Sequence, residues 1–256
     1  MTNGPLYDRI GTTYTSTRRP DPRLERAIHD ALGDAESVIN VGAGAGGYEP
    51  RDREVVAVEP SPVMIAQRPE GAARVVQASA ERLPFADDSF DAAMTVLSDH
   101  HWENRRRGLE ELRRVARRLV VLFNIDPARA NAFWMTTEYL PAFLDVIKPE
   151  YREAGYWESE LRSILGPVQT REVPIPHDCA DGFYGAFWRR PGAFLHPRVR
   201  AGISVFSQLE ASHVASGIAA LEADLDSGAW ERRHHDLLEL DSLALGYYVV
   251  VAELAD

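Results

Sequence analysis

The sequence predicts an α/β protein built on a mostly parallel sheet with helices on both faces. The first observation is an alternation of short apolar segments, rich in β-branched residues, with stretches that repeat apolar residues at helical spacing. The second is a cluster of glycines directly after the first apolar segment. Because strands that alternate with helices pair in parallel, the pattern is typical of a Rossmann-like, doubly wound sheet.

Six segments have the length and composition of strands that are buried on both faces of a sheet. They are residues 38–42, 55–59, 73–78, 91–97, 119–125 and 247–252. Three stretches between them repeat apolar and charged residues at helical spacing, namely 23–33, 62–67 and 105–117. These elements predict a core that runs from residue 38 to residue 126.

The alternation stops after Asp126, where a long aromatic-rich segment precedes the last predicted strand. We predict that residues 127–240 form a helical insertion that covers the carboxyl edge of the sheet. Its aromatic residues belong either to the core or to a substrate pocket. We expect several of these aromatic side chains to face a cavity opposite Gly42 and Leu97, with Phe133, Trp134, Tyr184 and Trp188 as examples. Without a repeat or a flexible linker, residues 1–256 are predicted to form one domain.

The composition narrows the classes of partner. A formal net charge of -11 repels phosphate backbones and anionic lipid headgroups. A cluster of four arginines, Arg113, Arg114, Arg117 and Arg118, is interpreted as a solvated helix end. We therefore expect a small-molecule substrate, with neither nucleic acid nor membrane as a partner, and the composition leaves the oligomeric state open.

The cysteine content and the apolar runs bear on the compartment. Cys179 is the single cysteine, which excludes an internal disulfide and a cysteine cage for zinc. The apolar runs are shorter than a membrane span, and charged residues occupy the positions where a signal peptide needs an apolar stretch. These features predict a cytoplasmic protein.

The strongest local signal is the glycine-rich turn in VINVGAGAGGYEP, residues 38–50. Closely spaced glycines let the chain turn tightly and bring a ligand against bare backbone. Gly42, Gly44 and Gly47 also match the G-x-G-x-x-G pattern of dinucleotide sites, which is weak evidence by itself. About a dozen residues, Pro50 among them, separate Gly42 from Val55 in the next strand, and such a short connection disfavours a diphosphate.

A carboxylate follows the second predicted strand. Glu59 is placed to accept hydrogen bonds from both ribose hydroxyls of an adenosine, a role common to NAD and S-adenosylmethionine sites. Glu59 therefore predicts an adenosine-containing cofactor but does not by itself distinguish between the two.

The segment AERLPFADDSFD, residues 80–91, distinguishes them. It closely resembles the A-E-x-L-P-F-x-D-x-S-F-D signature of class I S-adenosylmethionine-dependent methyltransferases of the type 11 family, and the resemblance extends over roughly residues 38–125. The resemblance implies that S-adenosylmethionine is the cofactor and that residues 38–126 bind it. It also implies methyl transfer to a small molecule, with secondary metabolism as one setting.

The resemblance implies a set of fifteen cofactor-binding residues. They are Tyr14, Arg18, Asn40, Gly42, Ala43, Gly44, Gly46, Glu59, Pro60, Met64, Ser79, Ala80, Glu81, Leu97 and Ser98. The glycines would line the methionine part of the cofactor, Glu59 would hold the ribose, and residues 79–81 would border the adenine. Leu97 and Ser98 would face the sulfonium and its methyl group.

The N-terminal segment YDRIGTTYTSTRRP, residues 7–20, is similar to the entry helix of the same family. The similarity implies that Tyr14 and Arg18 close over the cofactor and its carboxylate. Asn40 departs from the family pattern, which usually has Asp or Glu there. Asparagine keeps a hydrogen-bond acceptor but loses the charge that attracts the cofactor's ammonium group, so a lower affinity is expected.

A second departure follows the fourth predicted strand, where the resemblance leads us to expect an apolar or small residue and this chain has Asp99 before His100 and His101. All three are candidate catalytic residues. Neutral imidazole is well matched to a general base near pH 7, and Asp99 could orient the base or bind a cationic acceptor. Packing beside Trp102 is the structural alternative for the histidines.

Adjacent histidines in a turn diverge, and no further ligand stands at metal spacing, so no metal site is expected. An acid at the rim of the reaction centre also keeps open a methyltransferase-like fold that catalyses another reaction in natural-product biosynthesis. A cofactor-binding regulatory protein and an NAD-linked oxidoreductase are further alternatives.

Overall fold

A seven-stranded sheet forms the centre of the computed structural model, which describes residues 7–8 and 11–254, the side chains of residues 12 and 13 excepted. The strands in these ranges are β1 Ser37–Val41, β2 Glu54–Val58, β3 Arg74–Val76, β4 Phe90–Val96, β5 Ala116–Ile125, β6 Val168–Glu172, β7 Ile175–Pro176, β8 Ser242–Leu243 and β9 Tyr247–Glu253. β7 and β8 form a separate antiparallel pair.

The order of the main sheet is β3-β2-β1-β4-β5-β9-β6. β1 to β5 pair in parallel, and β9 runs antiparallel between β5 and β6. The chain leaves β1 toward one edge through β2 and β3, then returns to place β4 on the other side of β1. Ligands bind at such a reversal of strand order, outside the carboxyl ends of the strands. The predicted fold class is confirmed.

The α-helices are α1 Pro22–Ala31, α2 Pro62–Ile65, α3 Arg105–Val115, α4 Phe143–Val146, α5 Tyr156–Leu165, α6 Pro197–Ala201, α7 Ser204–Gln208, α8 Ala211–Asp226 and α9 Ala229–Arg233. Short 3₁₀ helices cover Gly11–Ser16, Asp99–His101, Pro127–Ala132, Pro149–Arg152, Tyr184–Phe187, Pro191–Leu195 and His235–Glu239, and Met135–Tyr139 forms a π-helix. Polar N-cap residues determine where two of the longer helices begin. The Asp21 side chain accepts from the Arg23 N–H at the start of α1, and Asn104 accepts from the Arg107 N–H at the start of α3.

Apolar residues fill two clusters, one on each face of the sheet. Leu24 and Ile28 of α1 join the cluster that contains most of the aromatic residues. Leu112 of α3 and Leu161 of α5 belong to the other cluster. The sheet therefore buries both of its faces, which explains why its central strands are almost continuously apolar.

The segment predicted as a helical insertion, 127–240, is not helical throughout. It also contains β6, which pairs with β9 at the edge of the main sheet. β6 has the sequence VQTRE, in which buried Val168 is followed by exposed Gln169, so its composition resembles that of a loop. The boundaries of the insertion stay a prediction. In the part of the chain that the structure describes, no helix is long and apolar enough to cross a membrane.

Candidate active site

The glycine turn lies where β1 ends and touches the end of β4. Gly42, Gly44 and Gly46 all have positive φ angles, of 70°, 53° and 89°. A Cβ atom added to Gly42 would lie 1.9 Å from the Ser98 side-chain oxygen. Both the backbone conformation and this close approach require glycine at position 42.

A cavity of about 840 Å³ opens above this turn, at the carboxyl ends of β1, β2 and β4. Its walls include all fifteen residues that the sequence resemblance assigned to the cofactor, from Tyr14 to Ser98. The structure therefore brings this predicted set together, although its members are spread over 85 positions of the chain, 14 to 98.

Glu59 lies at the end of β2 and is only 5% exposed. Its two carboxylate oxygens accept from the Gly44 N–H at 2.8 Å and the Ser61 N–H at 2.9 Å. Burial raises the pKa of Glu59 above its ordinary value, and the two backbone bonds oppose that rise. Since each oxygen has a second acceptor site, the carboxylate can still receive hydroxyl groups from a ligand.

Asn40 is buried at the wall of the same cavity. Its Nδ2 donates to Glu49 at 3.3 Å, and Glu49 in turn forms a buried ion pair with Arg68 at 2.8 Å. Among the residues that the structure describes, nothing pairs with Asn40 Oδ1. The carboxylate of Glu49 thus lies directly behind Asn40, the position where the family pattern has a carboxylate. Sequence reasoning missed Glu49 because an acid in a turn carries no signal by itself.

The N-terminal segment is held over the cavity by a buried ion pair. Arg18 Nε donates to Asp181 at 2.6 Å, and Tyr48 donates its hydroxyl to the same carboxylate at 2.9 Å. The side chain of Asp181 is 2% exposed. Asp181 lies 163 positions after Arg18, so no local pattern could connect them.

Two glycines of the segment 127–240 contact the N-terminal segment. A Cβ atom at Gly182 would lie 2.4 Å from the Thr17 carbonyl oxygen, and one at Gly202 would lie 2.4 Å from the Thr17 hydroxyl oxygen. The N-terminal segment is therefore packed against the backbone of its neighbours.

A second cavity, of about 530 Å³, adjoins the first. The two share the lining residues Tyr7, Arg18, Leu97, His101, Trp102 and Glu103. The second cavity has aromatic walls built from Phe143, Tyr151, Trp157, Phe183, Tyr184 and Tyr247. Leu97, which has a φ angle of 49°, thus lies where the cavities meet. Several aromatic residues of the predicted cover thus face a cavity, but of the four given as examples only Tyr184 lines either of these two cavities.

The other three aromatic residues, Phe133, Trp134 and Trp188, are buried in the core. The indole N–H of Trp134 donates to the Trp188 carbonyl, and that of Trp188 donates to the Ile175 carbonyl. Both indole N–H groups thus have hydrogen-bond acceptors inside the protein. The rings can therefore be fully buried in the core without a ligand as a partner.

The three candidate catalytic residues form one 3₁₀ turn after β4 but have different surroundings. Asp99 is fully buried and accepts from Arg105 Nε at 2.7 Å and from the Asn124 amide. His100 lines only the second cavity, whereas His101 lines both. His101 Nε2 lies 3.2 Å from the Tyr7 hydroxyl. Sequence reasoning missed these partners because they come from distant elements.

Both histidines are neutral near pH 7. Desolvation by the surrounding protein, followed by the charges of Arg105 and Arg18, lowers the pKa of His100 to about 4. Desolvation, followed by the neighbouring His100, lowers the pKa of His101 well below its ordinary value. The described residues contain no cluster of three or more His, Cys, Asp or Glu that could hold a metal ion.

Comparison with known proteins adds sequence and structural relatives. The model of the methyltransferase domain family matches residues 39–123. A 2-methyl-6-phytyl-1,4-hydroquinone methyltransferase of Oryza sativa is 27% identical over 189 residues, which are 66% of this chain and 54% of that protein. A demethylmenaquinone methyltransferase of Thermotoga maritima is 23% identical over 74% of this chain and 93% of its own length. This chain thus spans about half the length of the rice relative.

Solved structures extend the comparison. A putative methyltransferase from an antibiotic biosynthesis pathway of Anabaena variabilis superimposes with a TM-score of 0.83 at 30% identity. The match covers 95% of this chain and 100% of that one. The [4+2]-cyclase SpnF superimposes with a TM-score of 0.52 at 13% identity, which shows a shared fold alone.

The buried pair between Arg18 and Asp181 gives a stability prediction. Asp181→Asn leaves Arg18 buried without a countercharge, so we expect the free energy of unfolding to fall by about 3–5 kcal/mol. Arg23 and Asp178 form an exposed pair at a similar distance, and Asp178→Asn should cause no measurable change. Urea unfolding of both variants measures the difference, and equal effects would contradict the structural role of Asp181.

The pKa of His100 gives a pH prediction. The imidazole is protonated below about pH 6.5 in the unfolded chain but only near pH 4 in the folded one. Between these values the unfolded state binds the extra proton, so the free energy of unfolding should fall as the pH is lowered through this window. His100→Gln should reduce the slope, while the exposed His235→Gln should not. Urea unfolding at pH 7.5, 6 and 5 checks this, and an unchanged slope in His100→Gln would refute it.

Proposed function

Because this chain belongs to the family of S-adenosylmethionine-dependent methyltransferases, we propose that it transfers a methyl group from S-adenosylmethionine to a small-molecule acceptor in secondary metabolism. The observation that carries the proposal is the junction of two cavities at Leu97 and His101. One cavity has the walls of a cofactor site, and the other has the size and apolar character of a small-molecule site. The antibiotic-pathway relative supports the metabolic setting.

The first cavity fits the cofactor. The glycine turn leaves room for a ligand against the backbone, and Asn40 Oδ1 is an unpartnered buried acceptor suited to an ammonium group. Glu59 would hold the ribose hydroxyls, and residues 79–81 would border the adenine. When bound, S-adenosylmethionine supplies a methyl group that its sulfonium already activates. The carboxylate of Glu49, one contact behind Asn40, would supply the negative charge that asparagine lacks.

The second cavity would hold the acceptor. Its aromatic walls favour a flat, apolar molecule, and the hydroquinone and menaquinone methyltransferases among the relatives act on compounds of that kind by their names. The main task of the chain is to align the acceptor with the methyl group and to exclude water, which supplies several kcal/mol by proximity. His101, bonded to Tyr7 where the cavities meet, is the proposed base that takes the acceptor's proton.

The alternative reaction considered from the sequence rested on a free acid at the reaction centre. Because Asp99 is buried between Arg105 and Asn124, we propose that it positions these neighbours and does not itself react. The net charge of -11 supports a small-molecule acceptor over a nucleic acid.

Binding of the cofactor product tests the first cavity. Glu59→Ala should weaken adenosylhomocysteine binding by about 1.5–3 kcal/mol, roughly 10-fold to 150-fold, because a hydrogen bond to a charged group is lost. Glu54→Ala, on the exposed start of the same strand, is the matched control and should bind as the wild type does. Calorimetry measures both. Wild-type affinity in a folded Glu59→Ala variant would remove Glu59 from the site, and tight binding of NAD would overturn the proposed cofactor.

Turnover tests the assignment of His101. His101→Ala should lower methyl transfer to phenolic acceptors roughly 10²–10⁴-fold and leave adenosylhomocysteine affinity almost unchanged. Release of adenosylhomocysteine during incubation with a panel of naphthols and hydroquinones provides the assay. Undiminished turnover would show that alignment alone is enough. Binding of S-adenosylmethionine without methyl transfer to any acceptor would point to a different reaction on the same fold.

A further inference from the structure

Asn124, at the end of β5, has an amide whose orientation is determined by its neighbours. Its Oδ1 accepts the backbone N–H of Ile125 at 2.8 Å, and its Nδ2 faces a carboxylate oxygen of Asp99. An ionised carboxylate can only accept, so the amide nitrogen, not the oxygen, must point toward Asp99. The second N–H of the same nitrogen is then free to donate elsewhere.

That second N–H determines the tautomer of His100. Asn124 Nδ2 lies 3.1 Å from His100 Nδ1. Because an amide nitrogen has no acceptor site, Nδ1 must be the unprotonated nitrogen of the ring. A neutral imidazole carries one proton, which is therefore on Nε2. A proton on Nδ1 would set two N–H groups against each other.

His100 Nε2–H has no hydrogen-bond acceptor among the residues that the structure describes. The ring of His100 is accessible through the second cavity that it lines, although the protein around that cavity desolvates it. Polar groups elsewhere in the same wall are paired inside the protein: the Tyr151 hydroxyl donates to Glu160, and the Tyr247 hydroxyl accepts from the Gly185 N–H. His100 thus presents the Nε2–H donor to the cavity, while the lone pair of its other ring nitrogen, Nδ1, is occupied by Asn124.

The donor character of His100 Nε2–H favours an oxygen atom as its partner. Arg105 and Arg18 are the charged groups that lower the pKa of His100, and both also line the second cavity. Each is paired with a carboxylate, Arg105 with Asp99 and Arg18 with Asp181, so it is the N–H donor of His100 that meets negative charge developing on a ligand beside it. In methyl transfer to a phenol-type or enol-type acceptor, such charge develops on the acceptor oxygen as its proton leaves, and a preorganised donor stabilises it.

We propose that His100 Nε2–H donates a hydrogen bond to an oxygen of the methyl acceptor, either a carbonyl or a phenol-type or enol-type oxygen, and that Asn124 is the positioning residue that holds this tautomer. The identity of the ligand as a methyl acceptor rests on the proposed function. His100 then acts as a donor, and the role of base belongs to His101 alone. Acceptors without such an oxygen are bound less well.

Nitrogen-15 NMR of histidine-labelled protein tests the tautomer directly, without any substrate. Long-range proton–nitrogen correlations distinguish protonated from unprotonated ring nitrogens, and the signals of His100 are those absent from His100→Gln. We expect a protonated Nε2 and an unprotonated Nδ1 in the wild type between pH 6 and pH 8. Loss of this pattern in a folded Asn124→Leu variant would assign it to Asn124. A proton on Nδ1 in the wild type overturns the proposal.

Ligand binding tests the contact itself. 1-Tetralone has a carbonyl that can only accept a hydrogen bond, and tetralin is the same skeleton without it. With adenosylhomocysteine present, His100→Leu should weaken tetralone binding about threefold to tenfold and leave tetralin binding unchanged. His100→Gln should bind tetralone as the wild type does, because the glutamine amide keeps a donor near the position of Nε2. His235→Gln is the control for an exposed histidine.

Equal tetralone affinities for the wild type and His100→Leu, or equal losses in His100→Leu and His100→Gln, overturn the proposal. So does a wild type that binds neither compound up to its solubility limit. These measurements do not depend on turnover. If adenosylhomocysteine fails to bind, the proposed cofactor is wrong, whereas the tautomer of His100 is still measured. The two failures are therefore separate results.

Discussion

The contact between the ends of β1 and β4 is the constraint on which the rest of the site depends. The Gly42 backbone approaches Ser98 so closely that no Cβ atom fits between them. Because β2 leaves β1 on one side and β4 adjoins it on the other, the two strand ends lie side by side where the strand order reverses. The glycine turn on one end and the Asp99–His101 turn on the other consequently share one crevice. The cofactor cavity and the acceptor cavity adjoin there for the same reason.

Charge in this crevice is arranged through buried pairs. Glu49 is neutralised by Arg68, Asp99 by Arg105 and Asp181 by Arg18, all with little exposure of the side chains. Buried ion pairs contribute little net stability, because desolvation offsets much of the attraction. Their value here is positional: each carboxylate also binds a neutral group, respectively Asn40, Asn124 and Tyr48. The polar groups that reach the cavities are held in single orientations by partners behind them.

Local signals in the sequence were enough for the sheet and for the cofactor cavity. The apolar segments predicted β1 to β5 and β9, because strands buried on both faces are unusually uniform in composition. The glycine turn and the carboxylate of Glu59 lie within 18 positions of each other, 42 to 59, so a short motif contains both. Edge strand β6 escaped prediction because its polar residues face solvent. Its short alternation, VQTRE, has too few apolar positions to mark a strand.

The acceptor cavity could not be predicted in the same way. Its polar groups act in pairs whose members are far apart in the chain, as with Arg18 and Asp181 or Asn124 and His100. Which aromatic residues face the cavity depends on which indole N–H groups find carbonyls inside the core, as Trp134 and Trp188 do. Such choices follow from the packed structure, and a single sequence contains no spacing that encodes them.

Gly182 and Gly202 both contact Thr17 of the N-terminal segment, which has a consequence for related sequences. Neither has the positive φ angle that would by itself favour glycine, so their backbones could accommodate alanine. At Gly182 the backbone carbonyl oxygen of Thr17 occupies the space of a Cβ atom, whereas at Gly202 the rotatable Thr17 hydroxyl does, so glycine is required more strictly at position 182. Among homologous proteins, glycine at these two positions should therefore occur together with a docked N-terminal segment. Other residues should appear at both positions in proteins that lack the segment. Two small residues far from the glycine turn thus indicate whether a related chain docks its N-terminal segment in the same way.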